Sequence, residues 1–385
     1  MSGPRLGFAC VWDANAPRTW SYTPWELRLA LRRQSGGGEV VDLGIHVPMA
    51  MRRALQVAAL RRRDGRWVTP WEHLKAWEWG SEAYLSRQAD RHQCDAVLQI
   101  QDLAATRRPY FLYQDLSYDV VVALLDENST GLVEYFPHLD REAVERRRAR
   151  QLRLYQGAAG IFAMSTFLAR SLVERTGLDP DKVHVVAPGA RPSAEDPGPY
   201  PPRPPGPRRR LLFVGTTFGV KAGDTVVAAT EILRRDHDAE ITLTVVGPNH
   251  WPLPGPIPEG VQFVGRVSAD EMGPIYDVHD LLVVPSRLEG FGKAFVEALA
   301  HGLPCVGRNA FAMPELISPG VNGDLVEGED PQDLAVCIWR TLQNEAIFER
   351  CVADRGTVLQ TYNWDRAAAQ ITAIVSRELE SAPGR

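Results

Sequence analysis

Cysteine is scarce and scattered. Cys10, Cys94, Cys305, Cys337 and Cys351 are odd in number, and no two stand at C-x-x-C spacing. Neither a disulfide framework nor a zinc knuckle is suggested. No apolar run approaches the ~18 residues that a membrane-spanning helix needs. The N-terminal run Leu6 to Trp12 stops at Asp13, too short for a secretory signal. These absences lead to the expectation of a reduced, cytoplasmic setting. Excess positive charge is missing too: the formal net charge of -5 counts against nucleic acid as a partner held by bulk charge. Lysine is nearly absent, with Lys75, Lys182, Lys221 and Lys293 set among many arginines. Where arginine is the default cation, a lysine at a motif position carries more information than usual.

What remains is ordinary for a globular chain: 385 residues, 44% hydrophobic and 24% charged. That length predicts two or three domains. The proline-dominated stretch Arg191 to Arg210 cannot join a ladder or a helix interior and reads as an extended linker. On each side of it, short apolar runs alternate with helical patterns. Before the linker the runs are Leu6–Trp12, Val40–Leu43, Ala96–Ile100, Tyr110–Tyr113, Gly160–Met164 and Val183–Val186. After it they are Arg210–Val214, Ile241–Val246, Val261–Val264, Leu281–Val284 and Pro304–Gly307. Alternation of this kind predicts parallel sheets covered on both faces. The expected organisation is a first α/β domain over 1–190, the linker 191–209, a second over 210–363, and a C-terminal helix in 364–385 that packs back toward the first. No internal repeat is visible.

Ligands of such sheets bind beyond the carboxyl ends of the strands, where loops lead into helix N-termini. Three loops of the second domain stand there. Gly215-Thr216-Thr217-Phe-Gly-Val-Lys221 joins a glycine at a strand end to a lysine just before a helix, a combination suited to a diphosphate. Its spacing matches neither G-x-G-x-x-G nor the Walker A pattern, and an ordinary turn with a solvated lysine is the bland alternative. The second loop, Gly265-Arg266-Val267, offers backbone amides to a nucleobase edge, though alone it is a common turn. The third is Pro285-Ser-Arg-Leu-Glu289-Gly290-Phe291-Gly292-Lys293, running into a helix that contains Glu297. Amides at that helix start suit an anionic or hydroxyl-rich ligand. Glu297 stands among Phe295, Val296, Ala298 and Leu299, where an unpaired carboxylate is expensive.

Glu289 and Glu297 form an E-x7-E pattern, and with its surroundings this half resembles the retaining glycosyltransferases of family 4. The resemblance takes in Gly215 with Lys221, Gly265-Arg266-Val267, Pro285-Ser286, Glu289-Gly-Phe-Gly, Gly302-Leu-Pro304, Glu315-Leu-Ile and Gly320-Val-Asn-Gly323. It implies the GT-B fold, two doubly wound Rossmann-like domains facing a central cleft. It also implies a sugar carried from a nucleotide-diphosphate sugar (UDP, GDP or ADP type) to a hydroxyl of a glycan, natural product or lipid-linked sugar, without metal or cofactor. By resemblance, Lys221 neutralises the diphosphate, and Glu289 with Gly290, Phe291 and Gly292 holds the sugar. Glu297 takes the ribose, and Arg266 and Val267 frame the base. The family's arginine on the first loop is replaced here by Thr216 or Val220, leaving Lys293 or Arg266 as substitutes. A sugar-phosphate phosphorylase or synthase, or a nucleotide-sugar-binding subunit without activity, are the alternatives.

The first domain resembles the family more loosely. Trp20-Ser21-Tyr22-Thr23-Pro24 looks like a W-S-G-T-P variant with tyrosine in place of glycine, and Ser21 and Tyr22 are the acceptor candidates. Thr23 and Glu26 form a capping-box pattern. Asp115, after the Tyr110–Tyr113 run, is a catalytic candidate for steadying charge on the sugar or orienting the acceptor, or else a helix cap. Met51 to Arg66 reads as a basic helical face and Glu142 to Arg153 as a similar one. A solvated face is favoured for both over peripheral membrane contact. Seven of the ten tryptophans precede residue 80, and core packing is expected to account for most of them.

Overall fold

In a computed structural model the structure describes residues 3–34, 39–63, 66–69, 71, 74–127, 141–190 and 206–381. The chain forms two compact units. One holds Met1–Ala123, His138–Gly189 and Trp364–Arg385; the other holds Leu124–Pro137 and Ala190–Asn363. Most of the expected linker, 191–205, lies outside the described residues.

The first unit is built on strands β1 (Leu6–Ala9), β2 (Val11–Trp12), β3 (Val40–Asp42), β4 (Ile45–His46), β5 (Arg61–Arg63), β6 (Arg66–Val68), β7 (Ala96–Ile100), β8 (Tyr110–Gln114), β9 (Gly160–Ala163) and β10 (Val183–Val185). Six of them make a parallel sheet ordered β10-β9-β8-β7-β1-β3. The central strands β7 and β8 are buried along their whole length, as near-continuous apolar runs in a two-sided sheet must be. Leu112, Ile161 and Val97 of the sheet pack with Leu154, Leu168 and Leu172 from its helices. Each such side chain contributes roughly 1.5–3 kcal/mol by leaving water. The order reverses between β1 and β7, which makes the loops after those strands the natural ligand crevice of this unit. The C-terminal helix Trp364–Ser381 belongs to this unit and packs on the helix Thr23–Gln34.

Two expectations for this unit fail. The basic segment Met51 to Arg66 is helical only in its first half: the helix Met49–Ala58 carries Met51, Ala54, Leu55 and Ala58, but beyond it β5 pairs antiparallel with β6. The missed signal is the Asp64-Gly65 pair between Arg61–Arg63 and Arg66–Val68, a hairpin turn sequence. That helix buries none of its residues and exposes Met49, Met51 and Val57. Nor does the core absorb most of the early tryptophans. Trp12 and Trp71 are buried, whereas Trp67 and Trp79 are exposed by 67% and 71%.

The second unit carries β11 (Arg210–Val214), β12 (Thr242–Val246), β13 (Val261–Gly265), β14 (Leu281–Val283), β15 (Cys305–Arg308) and β16 (Gly323–Val326). They form a parallel sheet ordered β13-β12-β11-β14-β15-β16. Its core joins Leu211, Phe213, Leu243, Val245 and Val283 to Val226, Leu233, Leu334 and Ile338 of the covering helices. The reversal here falls between β11 and β14. Their following loops, Gly215–Ala222 and Val284–Gly292, are the two that the sequence motifs single out.

Candidate donor site

The floor of the site is main chain. Three adjacent strands, β11, β12 and β13, run into Gly215, Gly247 and Gly265. Gly215 donates its N–H to the Val246 carbonyl at 2.9 Å, and Gly247 donates to the Gly265 carbonyl at 2.8 Å. Gly247 has φ +127, and a Cβ built there would lie 2.4 Å from the Gly215 oxygen. No other residue fits that turn. Gly247 was not singled out by the sequence, since its partner glycines lie far away in the chain.

Lys221 ends the first loop, half-buried, and donates from Nζ to Glu289 Oε2 at 2.7 Å. The same oxygen accepts from the buried Ser286 hydroxyl at 3.0 Å. Two motif residues 68 positions apart are thus joined directly. Ser286 sits in a tight turn, its N–H on the Val284 carbonyl at 2.8 Å. Gly292, at φ +99, caps the helix Lys293–Ala300 in the left-handed region, and a Cβ there would meet Phe295 at 2.7 Å. This conformation brings Gly290, Phe291 and Gly292 to a helix N-terminus, whose amides and partial positive charge suit an anion or hydroxyls. Phe291 is buried and packs edge-on against Tyr362. Lys293 is half-buried at the helix start.

Glu297 lies in the second turn of that helix, half-buried. Tyr276 donates its hydroxyl to Glu297 Oε2 at 3.1 Å, satisfying part of the carboxylate that the apolar helix would otherwise penalise. Burial, reinforced by the Glu297 charge, holds the Tyr276 hydroxyl well above its ordinary pKa, so it remains a donor. Arg266 is exposed just beyond β13, with Val267 half-buried beside it. Thr216 is exposed and Thr217 half-buried, whereas Val220 is fully buried. A charged side chain at Val220 would have to displace core packing, which accounts for an apolar residue there.

Arg287 was passed over in the sequence, lying inside a motif whose other residues drew attention. Its guanidinium donates to Gly219, Asp224, Thr225 and Glu329. Burial lowers the guanidinium pKa, but the Asp224 and Glu329 hydrogen bonds outweigh it and leave the pKa raised. Burial likewise raises the Glu329 carboxyl, and Arg287 with Arg308 brings it below its ordinary value.

The first-unit candidates sit on the segments that follow β2 and β8. Trp20, Ser21 and Tyr22 all have positive φ, at 43°, 54° and 67°. Tyr22 therefore holds the left-handed conformation that a glycine would take without strain. Ser21 is exposed and Tyr22 half-buried, directly before the helix that starts at Thr23. Asp115 is half-buried and accepts from Gln101 Nε2 at 2.8 Å, across from the loop after β7. The next helix begins at Tyr118, and the Ser117 hydroxyl accepts from the Val120 N–H. Ser117 thus fills the capping role weighed for Asp115.

Residues 208–344 match the family model Glycosyl transferases group 1. The D-inositol 3-phosphate glycosyltransferase of Frankia alni is 31% identical over 243 residues, which is 55% of this chain and 59% of that one. Its namesake from Rhodococcus opacus is 28% identical over 230 residues, 54% and 51% of the two chains. The chain spans about half the length of these curated relatives. Among solved structures, the sucrose-phosphate synthase of Thermosynechococcus elongatus aligns at TM-score 0.71 with 15% identity, over 99% of this chain and 100% of that one. WaaG, a glycosyltransferase involved in lipopolysaccharide biosynthesis, aligns at 0.68 with 15% identity, over 96% and 99%. Anabaena HepE in complex with UDP-glucose aligns at 0.62 with 16% identity, over 97% and 100%. The two parallel α/β units are those of the GT-B glycosyltransferase fold, and residues 208–344 carry its group 1 signature.

Proposed function

We propose that this protein is a retaining glycosyltransferase that moves a sugar from a nucleotide-diphosphate donor to a hydroxyl acceptor. The observation that carries the reading is the Lys221–Glu289 pair at the sheet's reversal point, beside the glycine-opened N-terminus of the helix Lys293–Ala300. Lys221 and the amides at residues 290–292 supply positive character where a diphosphate would leave, so the charge work needs no metal ion. Glu289 holds sugar hydroxyls and Glu297 the ribose, and the backbone at Arg266 and Val267 meets the base. Thr216, Thr217 and Lys293 border the donor, and Ser21 and Tyr22 meet the acceptor. Asp115 steadies the sugar's developing charge.

In the reaction the bond between the sugar's anomeric carbon and the diphosphate breaks, and a bond from that carbon to the acceptor oxygen forms on the same face. The acceptor proton passes to the departing phosphate oxygen, so no carboxylate nucleophile is required. The relatives' name supports a sugar-phosphate-like acceptor, inositol phosphate being the first to try. HepE, solved with UDP and with UDP-glucose, supports UDP as the first nucleotide. The five cysteines are all buried and none is joined in a disulfide, which supports a reducing, cytoplasmic setting.

The test is to incubate the protein with UDP-, GDP- and ADP-sugars, with and without inositol phosphate, and to measure free nucleoside diphosphate. Release from one donor, lost in Glu289→Ala, is the expected result. No release and no nucleotide binding by calorimetry would refute the reading.

A further inference from the structure

The two loops that carry Lys221 and Glu289 are tied together by a residue that belongs to neither charge. Arg287 stands two positions before Glu289. Its main-chain N–H donates to the Val220 carbonyl at 2.8 Å, and its Nη1 donates to the Gly219 carbonyl at 2.6 Å. The guanidinium then forks onto both oxygens of Asp224, at 2.7 and 2.9 Å, and reaches the Thr225 hydroxyl at 3.1 Å. Its Nε donates to Glu329 at 2.8 Å, and Glu329 is held from the other side by Arg308 at 2.9 Å. One bond from Nε and two from each Nη use all five N–H donors that a guanidinium has.

A cation with no free donor cannot bind a ligand directly, but it can hold what does. Lys221 is bracketed by Gly219 and Val220 on one side and by Ala222 on the other. Ala222 has φ +56, a left-handed conformation that costs a non-glycine residue about 1–2 kcal/mol. Such a conformation persists only where its surroundings over-determine it. Arg287 grips the two carbonyls before Lys221 and the first helical turn after it. We propose that Arg287 is a positioning residue, which sets the spacing of Lys221 and Glu289 and through them the alignment of the donor's diphosphate and sugar. The second half of that statement rests on the function proposed above. Lysine cannot substitute, because three donors on a point charge do not reproduce a five-donor planar fork.

The scarcity of lysine makes a direct test simple. Protein labelled with 13C at lysine Cε gives one Cε environment for each of Lys75, Lys182, Lys221 and Lys293, with Lys221 identified by its loss in Lys221→Ala. Glu289→Gln marks the position of the signal when the pair is broken. In Arg287→Lys the substituted position adds a fifth signal, recognised by its absence from the wild type. The Lys221 signal moves toward the Glu289→Gln position while the other three wild-type signals stay, and kcat/KM for the nucleotide sugar falls by about 10²-fold. Asp224→Ala keeps the Arg287 charge but removes its forked partner, and moves the Lys221 signal the same way; it decides the matter if Arg287→Lys does not fold. An unmoved Lys221 signal in the folded variants overturns the proposal, even where the melting temperature drops. If the wild type consumes no nucleotide sugar, the glycosyltransferase reading fails, and the Lys221 signal still decides whether Arg287 sets the pair.

Discussion

Lys221 and Glu289 leave the sheet on loops after neighbouring strands, β11 and β14, yet their charged atoms meet at 2.7 Å. The lysine side chain is 23% exposed and the glutamate 10%, so the pair is shielded enough to be coupled and open enough to exchange partners. Removing Lys221 alone strands a nearly buried carboxylate on the Ser286 hydroxyl. Lys221→Ala is expected to lower stability by about 1–3 kcal/mol, and adding Glu289→Gln to recover part of that loss. Urea denaturation of the two single variants and the double gives the coupling. Strictly additive effects would show that the pair contributes nothing to the fold.

Tyr276 and Glu297 offer a finer probe of the proposed ribose contact. Tyr276→Phe keeps the ring in its buried slot and removes one donor to the carboxylate. The expected outcome is a KM for the nucleotide sugar raised about fivefold, the equivalent of a hydrogen bond near 1 kcal/mol, with kcat nearly unchanged. A fall in kcat with unaltered KM would place Glu297 at the reacting centre instead.

Tyr22 tests the left-handed run before the helix Thr23–Gln34. Tyr22→Gly should be at least as stable as the wild type, because glycine accepts φ near +67 without a Cβ clash. Tyr22→Val should lose about 1–2 kcal/mol more, since a branched Cβ is strongly disfavoured there. Equal stability of the glycine and valine variants would mean that the residue is not left-handed in solution.

Asp280 is expected to contribute to the acid limb of stability in the second unit. It is fully buried and accepts from the backbone of Arg209 and Arg210 and from the Arg210 guanidinium. Burial raises its carboxyl, but these bonds win and hold it below the ordinary 3.8. A carboxyl depressed in the folded state adds stability that is complete above its unfolded value and lost as pH falls through the folded one. Melting temperature should therefore decline as the pH is taken below about 3.8, and Asp280→Asn should flatten that decline while costing about 3–5 kcal/mol at neutral pH. An unchanged acid profile in the variant would assign the limb to other carboxylates.

The alternation of apolar runs with helical patterns was enough to read every strand of the first six-stranded sheet and all but β16 of the second. Buried parallel strands are nearly continuous hydrophobic segments, whereas Gly323–Val326 is short and interrupted by Asp324. Lys221 stood out as a rare lysine after a strand-end glycine, Glu297 by its apolar neighbours, and Glu289 with Glu297 by the family resemblance of the E-x7-E pattern. Arg287 and Gly247 did not. Arginine is common in this chain, and its role depends on carbonyls 67 and 68 positions away. A glycine after a strand looks like any turn until the oxygen that would strike its Cβ is in place. The β5–β6 hairpin was hidden for a different reason: its arginines continue the basic character of the preceding helix, and charge drew more notice than the Asp-Gly pair that breaks it.

The stacked strand ends at Gly215, Gly247 and Gly265 carry a consequence for anyone wishing to redirect this protein. A surface made of amides and carbonyls has no side chains to exchange, and at Gly247 even a methyl group strikes a neighbouring oxygen. Substitution there can only subtract. In the donor site as proposed, preference among ligands must therefore be rewritten at Thr216, Arg266 or the turn from Gly290 to Lys293. The floor itself is fixed by the shape of the backbone.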